Sequence, residues 1–102
     1  MTGLPVVCSL PADEIARRRD GVLAKLLASR LETRELPDGI AFRFAPSSEQ
    51  LAALVEVIDF ERQCCQFLRF RLTIEPGNGP VWLELTGPEG TREMLVAELG
   101  LG

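Results

Sequence analysis

The sequence contains no histidine, and it has only three cysteines and one tryptophan among its 102 residues. Without histidine, the chain has no serine–histidine or cysteine–histidine nucleophile pair, and a metal ion would find no imidazole ligand. The reactive groups that remain are thiols, carboxylates, hydroxyls and the backbone. Among these groups the three cysteines stand out.

The sequence also lacks the segments that would take it to or through a membrane. No apolar run approaches the roughly 18 residues that a membrane span needs. The N-terminal stretch MTGLPVVCSLPADE has no basic region and no long apolar segment of the kind that a secretory signal has. We therefore expect a cytoplasmic protein without a membrane partner, and cytosolic cysteines are normally kept reduced.

The balance of charge is unfavourable for nucleic-acid binding. The net charge is −4, whereas non-specific binding to nucleic acid depends on clustered lysines and arginines that neutralise phosphates. We expect no nucleic-acid partner.

The proportions of hydrophobic (46%) and charged (25%) residues are those of an ordinary globular chain, and this length supports one core. Residues 1–102 are therefore predicted to form a single domain.

Three stretches show the spacing of amphipathic helices. The first begins near Pro11 and runs to about residue 30. The second begins at Ser47 or Ser48, with a serine as N-cap, and reaches the cysteine pair. The third begins near Pro88 and ends at Gly100. The apolar positions of these helices are Ile15, Val22, Leu23, Leu26, Leu27, Leu31, Leu51, Leu54, Val55, Ile58, Met94, Leu95 and Leu99.

Between the helices, apolar and polar residues alternate in two predicted hairpins. One contains the turn Pro37-Asp38-Gly39, and the other contains the turn EPGNGP. The inward-facing residues would be Ile40, Phe42, Phe44, Phe70, Leu72, Ile74, Val81, Leu83 and Leu85. Sequential hairpins pair antiparallel, and three apolar helix faces need one common surface. The prediction is an α+β two-layer sandwich in the order α-β-β-α-β-β-α, with three helices on one face of a four-stranded antiparallel sheet.

The other face of the sheet is predicted to stay open. It would carry Trp82 among Arg43, Arg69, Arg71 and Glu84. Such a face can serve as a homodimer or partner contact. Alternatively, Trp82 lies flat beneath arginine side chains and needs no partner.

The segment FERQCCQFLRF places two cysteines where the helical pattern gives way to the strand pattern. Helical winding puts Cys65 in the inward arc of the second helix and Cys64 on its flank. Glu61 lies one turn earlier, where the pattern calls for an apolar side chain. A buried carboxylate needs a partner, so Glu61 is expected either to bridge to Arg62 or Arg69 or to lie beside the cysteine sulfurs.

Several interpretations of the cysteine pair remain open. The cysteines can simply pack in the core as small hydrophobes. A vicinal disulfide is disfavoured because a helical backbone separates neighbouring side chains by about 100°. Nucleophilic catalysis is disfavoured because the negative end of a helix raises the pKa of a thiol. Thiolates are preferred ligands of Hg(II), Cu(I) and Zn(II), and the ion itself deprotonates them. Cys8 could complete such a site with Cys64, Cys65 and Glu61.

The residues Glu61, Cys64, Cys65, Phe67, Phe70 and Trp82, with the Gly79-Pro80 turn and the segment TGPEG, resemble those of a family of small uncharacterised bacterial proteins of about this length. The resemblance covers most of the chain. It implies a loose association with heavy-metal-responsive gene clusters, and it carries no settled activity.

We therefore predict a cytoplasmic protein that binds a soft metal ion or a metalloid such as arsenite through its vicinal cysteines, as an accessory factor in metal handling or resistance. The ligands would be Cys64 and Cys65, with Cys8 and Glu61 as further candidates. The alternative is a small interaction or dimerisation module in which the cysteines only pack and the open sheet face around Trp82 carries the function. A thiol-dependent enzyme is the less favoured alternative.

Overall fold

The computed structural model describes residues 24–99, without the side chains of residues 24, 64, 98 and 99. Its elements follow the predicted order. They are α1 (Ala24–Ala28), β1 (Glu32–Leu36), β2 (Gly39–Phe44), α2 (Ser48–Cys64), β3 (Arg69–Ile74), β4 (Val81–Thr86) and α3 (Thr91–Leu99). The predicted α+β architecture, with three helices and an open antiparallel sheet, is confirmed for this part of the chain. The predicted first helix lies outside the described residues except for its last part, α1.

The sheet has four strands in the order β1-β2-β4-β3, and every neighbouring pair is antiparallel. The two hairpins therefore meet through β2 and β4, which form the centre of the sheet. In the middle row of the inner face, Phe42 lies opposite Leu83, which lies opposite Leu72. The side chains of the central strands are the more completely buried, because β1 and β3 form the edges. Ile74, at the end of edge strand β3, is 58% exposed.

The turn of the first hairpin brings a glycine against the next strand. Leu36 pairs with Gly39, so Pro37 and Asp38 form the predicted turn. On its other side Gly39 lies opposite Thr86 of β4, where a Cβ atom would overlap the carbonyl oxygen of Leu85. The φ angle at Gly39 is not positive. Glycine is therefore required here for the close approach of β4 rather than for the turn.

Helix α2 begins as the sequence predicts. Ser47 is the N-cap, and its hydroxyl accepts a hydrogen bond of 3.0 Å from the backbone N–H of Gln50. This bond satisfies one of the amide groups that a helix leaves free in its first turn.

The buried side of α2 differs from the predicted arc by about one residue. Leu54 and Val57 are buried, and Glu61 continues this line one turn later. Val55 was predicted to face the core but is 57% exposed. The prediction for Val55 was wrong because the buried line runs through residues 54, 57 and 61, which places residue 55 on the solvent side of the helix.

Helices α1 and α3 contribute to the same core. Leu26 and Leu27 of α1 and Leu95 of α3 are buried with the inner face of the sheet. Leu31 was predicted to continue the stripe of the first helix, but it is 55% exposed. The helix ends at Ala28, and Leu31 lies beside β2, where its N–H donates to the carbonyl of Arg43. None of the helices described is both long and apolar enough to cross a lipid bilayer.

Candidate cysteine and carboxylate site

Cys65 directly follows the last residue of α2 and lies in the core. The residue is the C-cap, with φ −117° and ψ 78°, and its N–H donates to the carbonyl of Glu61 at 2.7 Å. The carbonyl of Cys65 accepts a hydrogen bond of 3.1 Å from the N–H of Leu68, so a tight turn leads from the helix towards β3. Backbone hydrogen bonds therefore hold Cys65 on both sides. Its side chain is 1% exposed.

Glu61 lies beside this cysteine inside the protein. It is 6% exposed, and its Oε1 atom lies 4.0 Å from Cys65 Sγ, one helical turn away. The predicted burial of Glu61 close to a cysteine sulfur is confirmed. The arginines that were considered as partners face elsewhere. Arg62 forms an ion pair of 2.7 Å with Asp59, and Arg69 is exposed on the open side of the sheet.

Cys65 is disulfide-bonded to a cysteine whose side chain lies outside the described part of the structure. The sequence led us to expect reduced thiols. The helical spacing that disfavoured a bond between neighbouring cysteines does not apply at Cys65, because its ψ of 78° has already left the helix. A disulfide sulfur carries no hydrogen, so the contact with Glu61 is not a hydrogen bond in this oxidised form. After reduction, the thiol could donate a hydrogen bond to the carboxylate of Glu61, whose Oε1 atom lies 4.0 Å away.

A small cavity adjoins these two residues between the helices and the sheet. Its volume is about 20 Å³. Among the described residues, Glu61 and Cys65 are the ones that present polar or reactive side chains to it, and the remaining lining is apolar. That apolar lining includes Val57, Leu68, Phe70, Met94 and Leu95. The carboxylate and the sulfur therefore share a small cavity whose remaining lining is apolar.

Of the four predicted ligands, the structure describes the side chains of two, Glu61 and Cys65. Glu61 and Cys65 are brought together. Cys64 is the last residue of α2, and its side chain lies outside the described part, as does the whole of Cys8. Within the described residues, no group of three or more Cys, Asp and Glu side chains converges as a metal site would require.

On the open face of the sheet an arginine side chain covers Trp82, as one of the two alternatives predicted, while the partner contact stays a prediction. The Cζ atom of Arg34 lies 4.6 Å from the centroid of the indole ring, so the guanidinium covers it. Glu32 accepts hydrogen bonds from Arg34 at 2.6 Å and from Arg43 at 3.1 Å. The hydrogen bond from Arg34, with a smaller contribution from Arg43, lowers the pKa of Glu32 below its usual value.

Arg34 was not among the arginines predicted for the open face, which were Arg43, Arg69 and Arg71, because the predicted register did not extend to β1. The two-residue turn contained that information, because the pairing of Leu36 with Gly39 sets Arg34 opposite Ala41. A small residue at position 41 leaves room for the arginine to reach Trp82, which lies opposite Arg43 on the next strand.

The chain matches no protein-family model, and neither a curated protein nor a solved structure shows significant similarity to it.

Proposed function

We propose that the reduced protein binds a soft metal or metalloid ion through the thiolate of Cys65 and a second cysteine thiolate, next to the carboxylate of Glu61. The observation that carries the proposal is the disulfide at Cys65. Two sulfurs that can form a covalent bond with each other are close enough for one ion to bridge them after reduction. A dithiol reductant gives the disulfide two electrons and two protons, releases two thiols, and is itself oxidised to a disulfide.

The surroundings of Cys65 favour a soft ion over a hard one. Hard cations such as Mg²⁺ take oxygen ligands and keep several of their waters, and a nearly closed apolar cavity leaves little room for these waters. Thiolates suit Hg(II), Cu(I), Zn(II) and arsenite. Two thiolates also neutralise a divalent ion, which reduces the cost of burying its charge.

Glu61 has a defined role in this proposal. Its carboxylate lies 4.0 Å from Cys65 Sγ, which is too far to share a short bond with that sulfur but near enough to face an ion bound there. It can accept the thiol proton or contribute an oxygen ligand. The second sulfur belongs to Cys64 or Cys8, the other cysteines of the chain.

We do not propose the interaction-module alternative. The residues of the open sheet face satisfy one another, since Arg34 covers Trp82 and Glu32 pairs with both Arg34 and Arg43. No observation on that face points to a particular partner.

The proposal is tested by titrating the reduced protein with Hg(II) against a competing chelator, without oxygen and after removal of the reductant. We expect one ion per chain, with a proton released for about each thiol engaged and weaker binding at lower pH. Cys65→Ser should lower the affinity at least about 100-fold because it removes a ligand, and Glu61→Gln about 10-fold because it alters a supporting group.

Single Cys8→Ser and Cys64→Ser variants identify the second ligand, since the one that supplies it should behave like Cys65→Ser. Arg62→Gln, an exposed change on the same helical turn, is the matched control and should bind as the wild type does. Circular dichroism checks that each variant is folded. Equal affinity of the wild type and Cys65→Ser would reject the proposal.

A further inference from the structure

The cavity beside Cys65 bears on which thiophilic compounds can enter the site. We infer that the site accepts a soft ion carrying one small apolar substituent, of which methylmercury is the simplest, and rejects the same ion carrying an aromatic ring. The inference rests on the proposed function, because it concerns the same sulfur. It adds a substrate class that sulfur chemistry alone would not indicate.

The volume of the cavity sets the size of the substituent. A cavity needs roughly 10–15 Å³ of this kind of volume to hold one water molecule, and the cavity here has about 20 Å³. It therefore has room for a group the size of a methyl. A phenyl ring would have to displace packed side chains such as Met94 and Leu95, which line the cavity and partly fill the core.

The lining of the cavity sets its polarity. A buried water is typically held by two to four polar partners, whereas the described lining offers the carboxylate of Glu61 and the sulfur of Cys65. The rest is hydrocarbon, including Val57, Leu68 and Leu95. An apolar group that replaces a poorly held water in such a space gains affinity. The cavity is therefore better suited to a methyl group than to an ion with its water shell.

The charge balance of the bound state also fits the site. Methylmercury carries one positive charge, so a single thiolate neutralises it, and a neutral adduct is the form that an apolar interior accepts. When methylmercury chloride reacts with reduced Cys65, the S–H and Hg–Cl bonds break, the S–Hg bond forms, and the proton and chloride leave to solvent. No electrons are transferred in this step. The carbon–mercury bond stays intact.

The test compares methylmercury chloride, phenylmercury acetate and mercuric chloride on the reduced protein, each in competition with free cysteine. Competition with the free amino acid removes the intrinsic difference between the compounds in thiol affinity. We expect the wild type to favour methylmercury over phenylmercury at least about 10-fold relative to free cysteine, the scale on which a packed pocket discriminates by size.

A pair of variants on α3 relates this preference to the cavity. Met94 lines the cavity, whereas Val96 is a partly buried apolar neighbour that does not. Met94→Ala should enlarge the space and reduce or abolish the preference, and Val96→Ala should leave it unchanged. Met94→Val is the milder variant if Met94→Ala does not fold.

The outcomes separate this inference from the proposed function. Binding of mercuric chloride together with equal treatment of the methyl and phenyl compounds would overturn the inference and leave the proposed function standing. A preference that Met94→Ala and Met94→Val do not reduce would also overturn it. Failure of all three compounds to bind the folded, reduced protein would reject the proposed function itself.

Discussion

Glu61 and Cys65 lie one turn apart at the end of α2, and both are almost inaccessible to solvent. A carboxylate in such a place costs several kcal/mol unless it is compensated, and a leucine would serve the core better. The sequence pattern already marked Glu61 as out of place. In the proposed ion site this carboxylate would face the bound ion, since its Oε1 atom lies 4.0 Å from Cys65 Sγ.

The ion pairs of Glu32 with Arg34 and Arg43 are expected to depend on pH. The pKa of Glu32 is lowered by the hydrogen bond from Arg34 and by that from Arg43. Because the folded-state pKa is below the unfolded value, the stabilisation is present at pH values above the unfolded pKa and is lost as the pH falls through the folded one. Protonated Glu32 no longer holds Arg34 over Trp82, the only tryptophan of the chain.

Tryptophan fluorescence should therefore change with pH while the protein is still folded. We expect an acid transition whose midpoint lies below the usual range for glutamate. Glu32→Gln should abolish the transition and give the low-pH spectrum already at neutral pH. Glu35→Gln, on the same strand but the other face, is the control and should keep it. A Glu32→Gln protein with the wild-type transition would contradict this account of Trp82.

Among the elements, the turn of the first hairpin is specified by neighbouring residues, whereas the pairing of the two hairpins is specified by residues far apart in the sequence. The turn Pro37-Asp38-Gly39 is a local signal and was predicted. The reason for Gly39 is not local, because the constraint comes from Leu85 on β4, more than forty positions along the printed sequence. The joining of the hairpins through β2 and β4 could not be read from either hairpin alone.

Gly39→Ala should consequently destabilise the protein by about 2–4 kcal/mol, since the added methyl forces β2 and β4 apart in the centre of the sheet. Gly77→Ala is a contrasting variant. Gly77 has φ +70° in an open turn where a Cβ would meet nothing, so the cost should be that of an unfavourable backbone conformation, about 1 kcal/mol. Urea denaturation of both variants measures the difference. Equal stability of Gly39→Ala and the wild type would show that the strands adjust freely.

At the scale of the whole molecule, the predictable features were those set by local periodicity. The order of elements, the Ser47 cap and the buried face of the sheet follow from patterns within a few residues. The exposure of Val55 and the position of Arg34 were not predicted, because both depend on how elements meet. The buried face of a helix can be predicted only to within about one residue while its packing partners are unknown, and a stacked arginine depends on contacts between strands. The disulfide at Cys65 was not predicted because reduced thiols were expected.

The proposed ion site joins Cys65, a second cysteine and Glu61 into one function of the folded chain. Native mass spectrometry of the freshly reduced protein, mixed with one equivalent of Hg(II) and excess free cysteine, tests it most directly. The free cysteine suppresses adducts at single thiols.

We predict one adduct in the wild type, heavier than the free protein by one mercury atom less about one hydrogen per thiol engaged. The variant with both Cys64→Ser and Cys65→Ser should show none. An identical adduct in both proteins, or no adduct in the folded wild type, would contradict the account and leave the cysteines as packing residues.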